Sequence, residues 1–238
     1  MTEQLFVADA YLKSATGRVT AHTEEGGLIL DRTIFYARSG GQPGDSGTLD
    51  WDGGRIAIAT AIKGDGGAIV LVPAEPGPLP PIGAQIGQRL DWERRHGHMR
   101  IHTALHLLSV VLPYPVTGGA IGADKGRLDF DMPDSPEDPA VIEGRLNALV
   151  TRDLPVSAEW ITEAELDANP GLVKTLSVQP PRGTGRIRLV RIGSDSAPVD
   201  LQPCGGTHVA RTGEIGKLAL GKIEKKGRIN RRVTIALV

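Results

Sequence analysis

The 238-residue sequence is short of cysteine, aromatic residues, net charge and long hydrophobic runs. Its single cysteine excludes an intrachain disulfide and is compatible with a reducing compartment. A formal net charge of −1 excludes a strong overall field that would attract nucleic acid. No apolar run approaches the ~20 residues that span a bilayer, and the N-terminus lacks the features of a signal peptide. We therefore expect a cytoplasmic protein without a membrane partner.

Glycine and proline, by contrast, are abundant, with 31 and 17 residues respectively. This composition predicts many tight turns and few long helices. The densest proline cluster covers residues 73–81, and proline neither donates to a sheet nor continues a helix. The cluster therefore predicts a boundary between a glycine-rich β domain over residues 1–81 and a second domain over residues 82–238.

Hydrophobic periodicity predicts the fold class. Short alternating runs in residues 1–72 predict β-strands, and further strands mixed with two or three helices follow. Ser135 followed by Pro136 predicts one helix start. The strongest helix signal covers residues 93–112, where four apolar residues form one stripe: Ile101, Leu105, Leu108 and Leu112. Strand runs mixed with helices predict an α+β fold rather than a βαβ array.

Histidine and cysteine spacing predicts a metal site. His102 and His106 lie four residues apart on the predicted helix, so their Cβ atoms are about 5–6 Å apart. His98 extends this row, so spacing alone does not select which adjacent pair binds. The only cysteine, Cys204, is separated from His208 by a stretch with two glycines that lets the backbone curl. Two helical imidazoles, one thiolate and one further imidazole match the nitrogen and sulfur donors that zinc prefers.

The role of such a metal stays open on this reasoning. Four protein ligands are typical of a structural zinc site, whereas three ligands and a water are typical of a catalytic one. A metalloprotease is excluded, because Thr103 stands where the H-E-x-x-H motif has its glutamate base. The glycine-rich loop of residues 40–47 lacks the Lys-Ser/Thr pair of a phosphate-binding loop.

Three motifs, in order, resemble the editing region of alanyl-tRNA synthetases. They are the glycine-rich segment of residues 30–47, the histidine helix of residues 100–108 and the cysteine loop of residues 204–208. Residues 125–130 also resemble an intervening strand of that region. The similarity covers most of the chain and leaves no room for an aminoacylation domain. The sequence is therefore identified as a member of the freestanding alanyl-tRNA editing proteins (AlaX type), in their medium-length form.

The resemblance implies a fold, an activity and a cofactor. It implies a small barrel-like β domain followed by a two-layer α/β sandwich editing core. It implies ATP-independent hydrolysis of mischarged alanine tRNA during translation, chiefly serine-charged, with glycine-charged tRNA left open. The implied partner is the acceptor end of alanine tRNA. By motif position, one zinc ion is held by four residues: His102, His106, Cys204 and His208.

The resemblance also supplies candidates for catalysis and substrate binding. Gln42 is a candidate for orienting the attacking water or the ester carbonyl, and Thr33 for hydrogen-bonding the serine hydroxyl. An ordinary turn residue and an ordinary strand residue are the respective alternatives. The substrate-binding candidates are Gly40, Gly41, Arg100 and Lys125. Basic residues within the segment 217–232, and Arg94, Arg95 and Arg100 beside the histidine helix, are candidate phosphate-binding patches.

A second hypothesis belongs to a different class. In it, the protein is a non-catalytic, zinc-stabilised RNA-binding module, in which four ligands close the metal shell. Thr33 and Gln42 discriminate between the two hypotheses, because a purely structural module needs neither.

Overall fold

A computed structural model describes residues 1–133, 138–175, 183 and 185–238. These residues divide into two units, Met1–His96 and Gly97–Val238. The division differs from the predicted boundary after Pro81, because the last strand of the first unit, Gln85–Leu90, follows the proline-rich stretch. Within the described part of the chain, no helix is both long enough and apolar enough to cross a membrane.

The N-terminal unit is a closed six-stranded barrel, which confirms the barrel-like β domain that was expected. Neighbouring strands are antiparallel, and their order around the barrel is β2-β3-β7-β6-β5-β8. Closure leaves no unpaired sheet edge. The barrel strands are β2 (Ser14–His22), β3 (Leu28–Leu30), β5 (Gly47–Trp51), β6 (Gly54–Lys63), β7 (Ile69–Pro73) and β8 (Gln85–Leu90). Outside the barrel lie a parallel pair, β1 (Glu3–Gln4) and β4 (Arg32–Thr33), the short helix α1 (Leu5–Ala8) and a 3₁₀ turn (Asp65–Gly67).

The barrel core follows from alternation along the strands. In β8, Ile86, Gln88 and Leu90 are buried, while the residues between them are more accessible. This period of two places one side of each strand in the interior. The core is mainly aliphatic, with fully buried side chains that include Leu28, Leu49, Leu71 and Ile86. Gln88 is the exception in β8, and a buried amide needs hydrogen-bond partners.

The C-terminal unit mixes helices with two antiparallel sheets, which confirms the α+β class. One sheet has the order β14-β15-β10-β9 and the other has the order β11-β12-β13. Their strands are β9 (Val116–Ile121), β10 (Lys125–Asp131), β11 (Val156–Ile161), β12 (Ile187–Ser194), β13 (Ala197–Pro203), β14 (Leu218–Lys225) and β15 (Asn230–Leu237). The remaining elements are α2 (Trp92–Val111), whose first residues belong to the N-terminal unit, α3 (Pro139–Thr151), α4 (Glu163–Ala168) and 3₁₀ turns at Pro170–Leu172 and Thr212–Ile215.

Helix boundaries follow the capping chemistry of the sequence. The predicted start at Ser135 and Pro136 lies outside the described residues, and α3 begins at Pro139, where Asp138 caps the helix by accepting from the Ala140 amide. The sequence pattern is the same, a capping side chain followed by proline at the first helical position. The predicted apolar stripe is buried at all four positions, of which three lie on α2 and Leu112 directly follows it.

Candidate metal centre and glycine loop

Four side chains converge in the C-terminal unit: His102, His106, Cys204 and His208. One ligand atom from each lies within 4.8 Å of the corresponding atom of every other. The Cys204 Sγ atom is 3.5 Å from His102 Nε2 and 3.3 Å from His208 Nε2. His98, which spacing had left as an alternative, is buried but is not a member of this cluster. The structure therefore brings together the four residues that the motif resemblance selected.

Hydrogen bonds with Arg188 fix the backbone of the cysteine loop, so that its candidate ligands lie near those of α2. Cys204 directly follows β13, and its amide donates to the Arg188 carbonyl. The Arg188 guanidinium in turn donates to the carbonyls of Cys204 and Gly206, at 2.9 and 3.0 Å. The Gly206 amide points back at the Cys204 sulfur, at 3.4 Å. These bonds bend the loop so that the thiol and the His208 ring face the same point.

The donor set fits a zinc ion. Tetrahedral zinc with its usual bond lengths to nitrogen and sulfur places neighbouring ligand atoms about 3.3–3.8 Å apart. The two sulfur–nitrogen distances at Cys204, 3.5 and 3.3 Å, fall in this range. Magnesium and calcium prefer oxygen ligands, whereas three imidazoles and a thiolate suit zinc.

The protonation states of two cluster members also suit a metal. Burial raises the pKa of the Cys204 thiol, but the neighbouring His102 and His208 outweigh burial and hold it well below its usual range. Burial and the nearby His102 lower the pKa of His208 to about 3. A thiolate and a neutral imidazole are the forms that bind metal ions.

His106 has a charged partner outside the cluster. Its Nδ1 atom lies 2.8 Å from the Asp200 carboxylate, whose other hydrogen bonds come from Gln202 at 2.8 Å and Lys174 at 2.5 Å. Burial lowers the pKa of His106, but Asp200 and Cys204 outweigh it and raise the pKa to about 9. Burial raises the pKa of Asp200, but His106 and Lys174 hold it well below its usual range. The carboxylate is therefore ionised beside the ring.

His208 has a neutral partner instead. Its Nδ1 atom lies 3.1 Å from the Thr103 hydroxyl. That hydroxyl donates its one proton to the Met99 carbonyl, at 2.9 Å, and accepts from the Val209 amide, at 3.3 Å. Because the hydroxyl proton is already used, the ring nitrogen of His208 must be the donor. This leaves Nε2 of His208 as the unprotonated nitrogen on the side of the thiol.

Sequence reasoning missed these outer partners. Thr103 served only to exclude a protease, and neither Asp200 nor Lys174 was assigned a role. A signal was present in β13, because residues two apart on a strand share a face and Asp200, Gln202 and Cys204 are spaced in that way. Nothing in the sequence indicated Lys174, since its contact with Asp200 depends on the tertiary fold.

The glycine loop belongs to the N-terminal unit and ends in a tight turn. Ser39 and Gln42 exchange two backbone hydrogen bonds, at 3.1 and 2.9 Å. Between them Gly40 and Gly41 have φ angles of +55° and +82°. Positive φ at both central positions defines a type I′ turn, which favours glycine. A Cβ atom on Gly40 would meet nothing within 4 Å, so backbone conformation rather than space requires glycine there.

A buried ion pair holds the base of this loop. The Arg95 and Asp45 side chains are each 1% exposed and form several hydrogen bonds with each other. Asp45 also accepts from the Tyr36 amide, at 2.6 Å, and the Tyr36 hydroxyl donates to the Ser39 carbonyl, at 3.0 Å. The inclusion of Arg95 in a phosphate-binding patch is therefore wrong, because its guanidinium is buried against Asp45.

The remaining candidates occupy different surroundings. Thr33 is buried, and its hydroxyl donates to Gln88 Oε1 at 2.7 Å and accepts from the Phe35 amide at 3.2 Å. The buried amide of β8 thus finds a partner in Thr33. Gln42, at the end of the glycine turn, is also buried. Thr33, Gly40, Gly41 and Gln42 all belong to the N-terminal unit.

Two further candidates lie in the unit that holds the metal cluster. Arg100, on α2, donates from Nε and Nη2 to the Ile215 carbonyl, at 2.9 and 2.6 Å. Part of its donor capacity is therefore committed to the end of a 3₁₀ turn. Lys125 is exposed at the first position of β10. Its ammonium group is available to solvent on the sheet surface.

Comparison with known families defines the class of protein. Residues 187–234, which include Asp200, Cys204 and His208, match the threonyl and alanyl tRNA synthetase second additional domain. Residues 6–94 match the class II (A) tRNA synthetases. The cysteine loop and the β-barrel unit thus each match a part of aminoacyl-tRNA synthetases, which places the protein among synthetase-related domains.

Full-length relatives identify the family. The chain is 32% identical to the alanyl-tRNA editing protein AlaX-M of Methanosarcina acetivorans, over 100% of both chains. It is 33% identical to the AlaX-M protein of Saccharolobus solfataricus, over 98% of each. It is also 36% identical to the alanine–tRNA ligase of Pyrobaculum arsenaticum, over 94% of this chain, and it spans only 25% of that relative's length. The chain belongs to the alanyl-tRNA editing protein AlaX-M family, which confirms the resemblance drawn from its motifs.

Proposed function

We propose that this protein hydrolyses the ester bond of mischarged alanine tRNA in trans, chiefly serine-charged tRNA, during translation in the cytoplasm. The observation that carries the proposal is the convergence of four metal-binding side chains in a chain that aligns over its whole length with alanyl-tRNA editing proteins. The implied partner is the acceptor end of alanine tRNA, and glycine-charged tRNA is a second substrate to test.

The proposed cofactor is one zinc ion. It would be held by the helical pair His102 and His106 together with Cys204 and His208. When bound, zinc supplies an anchor for the end of the tRNA or a Lewis acid, and an open position for water would require one ligand to leave. Four converging donors therefore leave the orientation of the reacting water to the chain's own residues.

Gln42 is the proposed group for that orientation. A side-chain amide both donates and accepts hydrogen bonds, so it can hold a water or polarise an ester carbonyl without changing its charge. An aminoacyl ester is already activated, so positioning and stabilisation of the oxyanion are sufficient catalysis. The type I′ turn through Gly40 and Gly41 lets the backbone beside Gln42 approach the substrate closely.

Thr33 is the proposed selectivity residue. Its hydroxyl donates to Gln88 and accepts from the Phe35 amide, so a serine hydroxyl would bind by donating to the remaining lone pair of Thr33. A site that hydrogen-bonds a substrate hydroxyl can reject the analogue lacking it by about 10⁴–10⁵-fold. Arg100 and Lys125 are proposed to contact tRNA phosphates, which would make affinity fall with salt.

Incubation with charged tRNA tests the proposal. The protein is incubated with serine-charged and alanine-charged alanine tRNA, with and without a chelator, and released amino acid is measured. We expect release of serine in preference to alanine, and loss of that release on chelation. Failure to release serine selectively would remove the deacylase proposal.

Thr33→Val tests the origin of the selectivity. The substitution removes the hydroxyl and preserves the volume, so hydrolysis of the serine ester should slow while zinc content stays constant. The matched control is Thr48→Val, a half-buried threonine of the barrel strand β5. Serine kinetics that stay unchanged in Thr33→Val would contradict the assignment.

The non-catalytic RNA-binding module is the second candidate, and the closed set of four donors favours it. It predicts binding of alanine tRNA without release of any amino acid. Gln42→Ala separates the two candidates, because it should reduce the rate of serine release in a deacylase and leave tRNA binding by a structural module unchanged.

A further inference from the structure

We infer that Asp200 is the positioning residue that selects the metal-binding form of His106. A neutral histidine carries its proton on one ring nitrogen and binds metal through the other. His106 turns Nδ1 toward Asp200, at 2.8 Å, and belongs to the four-residue cluster, so Nε2 is the nitrogen left to bind a metal. The inference rests on metal binding at this cluster and does not depend on tRNA being the substrate.

Asp200 and Gln202 both contact Nδ1 of His106, and they favour different positions for the ring proton. Asp200 Oδ2 can only accept, so it requires a proton on Nδ1. The amide nitrogen of Gln202 lies 3.1 Å from the same Nδ1 atom and could instead donate to an unprotonated ring. The second arrangement would place the proton on Nε2 and block the metal ligand.

The geometry favours Asp200 in this competition. An unprotonated Nδ1 would face the carboxylate oxygen lone pair to lone pair at 2.8 Å, which is repulsive. The Gln202 amide has other acceptors for its two protons, Asp200 Oδ2 at 2.8 Å and the Ser109 hydroxyl at 3.5 Å. Gln202 therefore supports the carboxylate rather than the ring.

The carboxylate is also held in place independently of the ring. Its second oxygen accepts from the Lys174 ammonium at 2.5 Å, and the Asp200 side chain is fully buried. Water therefore has no access to replace a lost partner. Lys174 comes from the segment before β12, so a residue remote from the four ligands fixes the orientation of one of them.

Asp200→Asn should move the proton of neutral His106 from Nδ1 to Nε2. The amide of asparagine can donate to Nδ1, and so can Gln202, so both neighbours would favour a proton on the ligating Nε2. Removing such an outer partner typically lowers metal affinity about 10–100-fold. The matched control is Asp129→Asn, a carboxylate of β10 that hydrogen-bonds Arg127 and Arg232 and does not touch the cluster.

The experiment uses the full chain stripped of metal. Zinc affinity is measured by competition with a chromophoric chelator, and the absorption spectrum of the cobalt-loaded protein reports the ligand geometry. We expect a 10–100-fold loss of zinc affinity and an altered cobalt spectrum in Asp200→Asn. Asp129→Asn should match the parent in both readouts. Equal zinc affinity in parent and Asp200→Asn would overturn the inference.

A measurement on the unsubstituted protein covers the case in which Asp200→Asn does not fold. Long-range nitrogen–proton NMR correlations identify the protonated nitrogen of each histidine ring. We expect the proton of zinc-loaded His106 on Nδ1, and a proton on Nε2 would overturn the inference. Absence of zinc binding by the parent would overturn both this inference and the zinc part of the proposed function. Normal zinc binding without serine release would overturn the deacylase proposal alone.

Discussion

The candidate metal site and the glycine loop both contain buried polar side chains, but they differ in how far apart in the sequence their interacting residues lie. The metal cluster joins α2 to a loop about a hundred residues later, and its contacts include His106 with Asp200 at a separation of 94 residues. The glycine turn closes within four residues, and one ion pair, Arg95 with Asp45, anchors it from 50 residues away. The turn is thus encoded locally, whereas the cluster depends on the fold.

The two buried carboxylates show the same contrast in function. Asp45 is matched by the Arg95 guanidinium and the Tyr36 amide, and this network is complete within the protein. Asp200 instead hydrogen-bonds the ring of His106, a member of the candidate metal site. The Asp45–Arg95 pair therefore stabilises a loop, whereas the Asp200–His106 pair orients a candidate metal ligand.

The largest effect is expected from breaking the buried pair of the loop. Arg95→Met leaves the Asp45 carboxylate buried without its cation, which typically costs about 3–5 kcal/mol. The free energy of unfolding, measured by urea titration, should fall by that amount. The control is Arg94→Met, since Arg94 is less buried and donates to the Gly44 carbonyl. Equal losses in the two variants would show that burial of the Asp45 charge is not the cause.

Metal removal should have the next largest effect on the free energy of unfolding, and it should act at the candidate metal site rather than at the glycine loop. A ligand at 1,000 times its Kd stabilises the folded state by about 4 kcal/mol, so chelation should lower the free energy of unfolding by a similar amount. Thermal unfolding with and without a chelator measures this. Cys204→Ser should respond much less to the chelator, because the thiolate is lost. An equal response in both proteins would argue against metal binding at this cluster.

A smaller effect is expected in the turn itself. Gly40→Ala places a side chain at φ +55° with no steric neighbour within 4 Å, so only the backbone strain of about 1–2 kcal/mol is introduced. The matched control is Gly144→Ala within α3, where a Cβ atom also meets nothing within 4 Å. That change should stabilise the protein by about 0.5–1 kcal/mol. The Gly→Ala change should thus lower the free energy of unfolding at position 40 and raise it at position 144. Urea titration measures both changes.

The smallest effect is expected at Asp129, which pairs with two arginines and is more exposed than Asp45 or Asp200. The Arg232 hydrogen bond holds the pKa of Asp129 below its ordinary value, although burial opposes this, and Arg127 adds to the lowering. A lowered carboxylate pKa contributes stability at neutral pH, and the contribution is lost as pH falls through the folded-state pKa. Asp129→Asn should therefore be slightly less stable than the parent at pH 7, and the difference should begin to shrink near pH 4, about the unfolded-state pKa, and disappear below the lowered folded-state pKa. A difference that persists at low pH would point to packing instead of charge.

Local patterns predicted the elements well because their causes are local. The predicted apolar stripe is buried as its spacing indicates, and strands occupy much of residues 1–72, as the alternating runs predict. The boundary after Pro81 differs from the observed division, because proline density reports where regular structure stops and not which sheet the next strand joins. The last barrel strand, Gln85–Leu90, pairs with Ser14–His22 at the start of the chain, a contact that spacing does not encode.

The sequence alone predicted the four candidate metal ligands, the glycine-rich loop and the family. Spacing was sufficient for the pairing of histidines on one helix face, whereas the full set of four donors and the family followed from the resemblance of three motifs in order. The packing of distant elements, in contrast, buries Arg95 against Asp45 and places Asp200 and Lys174 beside His106. Each of these depends on which distant strands and helices pack together, because a buried polar side chain takes its role from the partners that surround it.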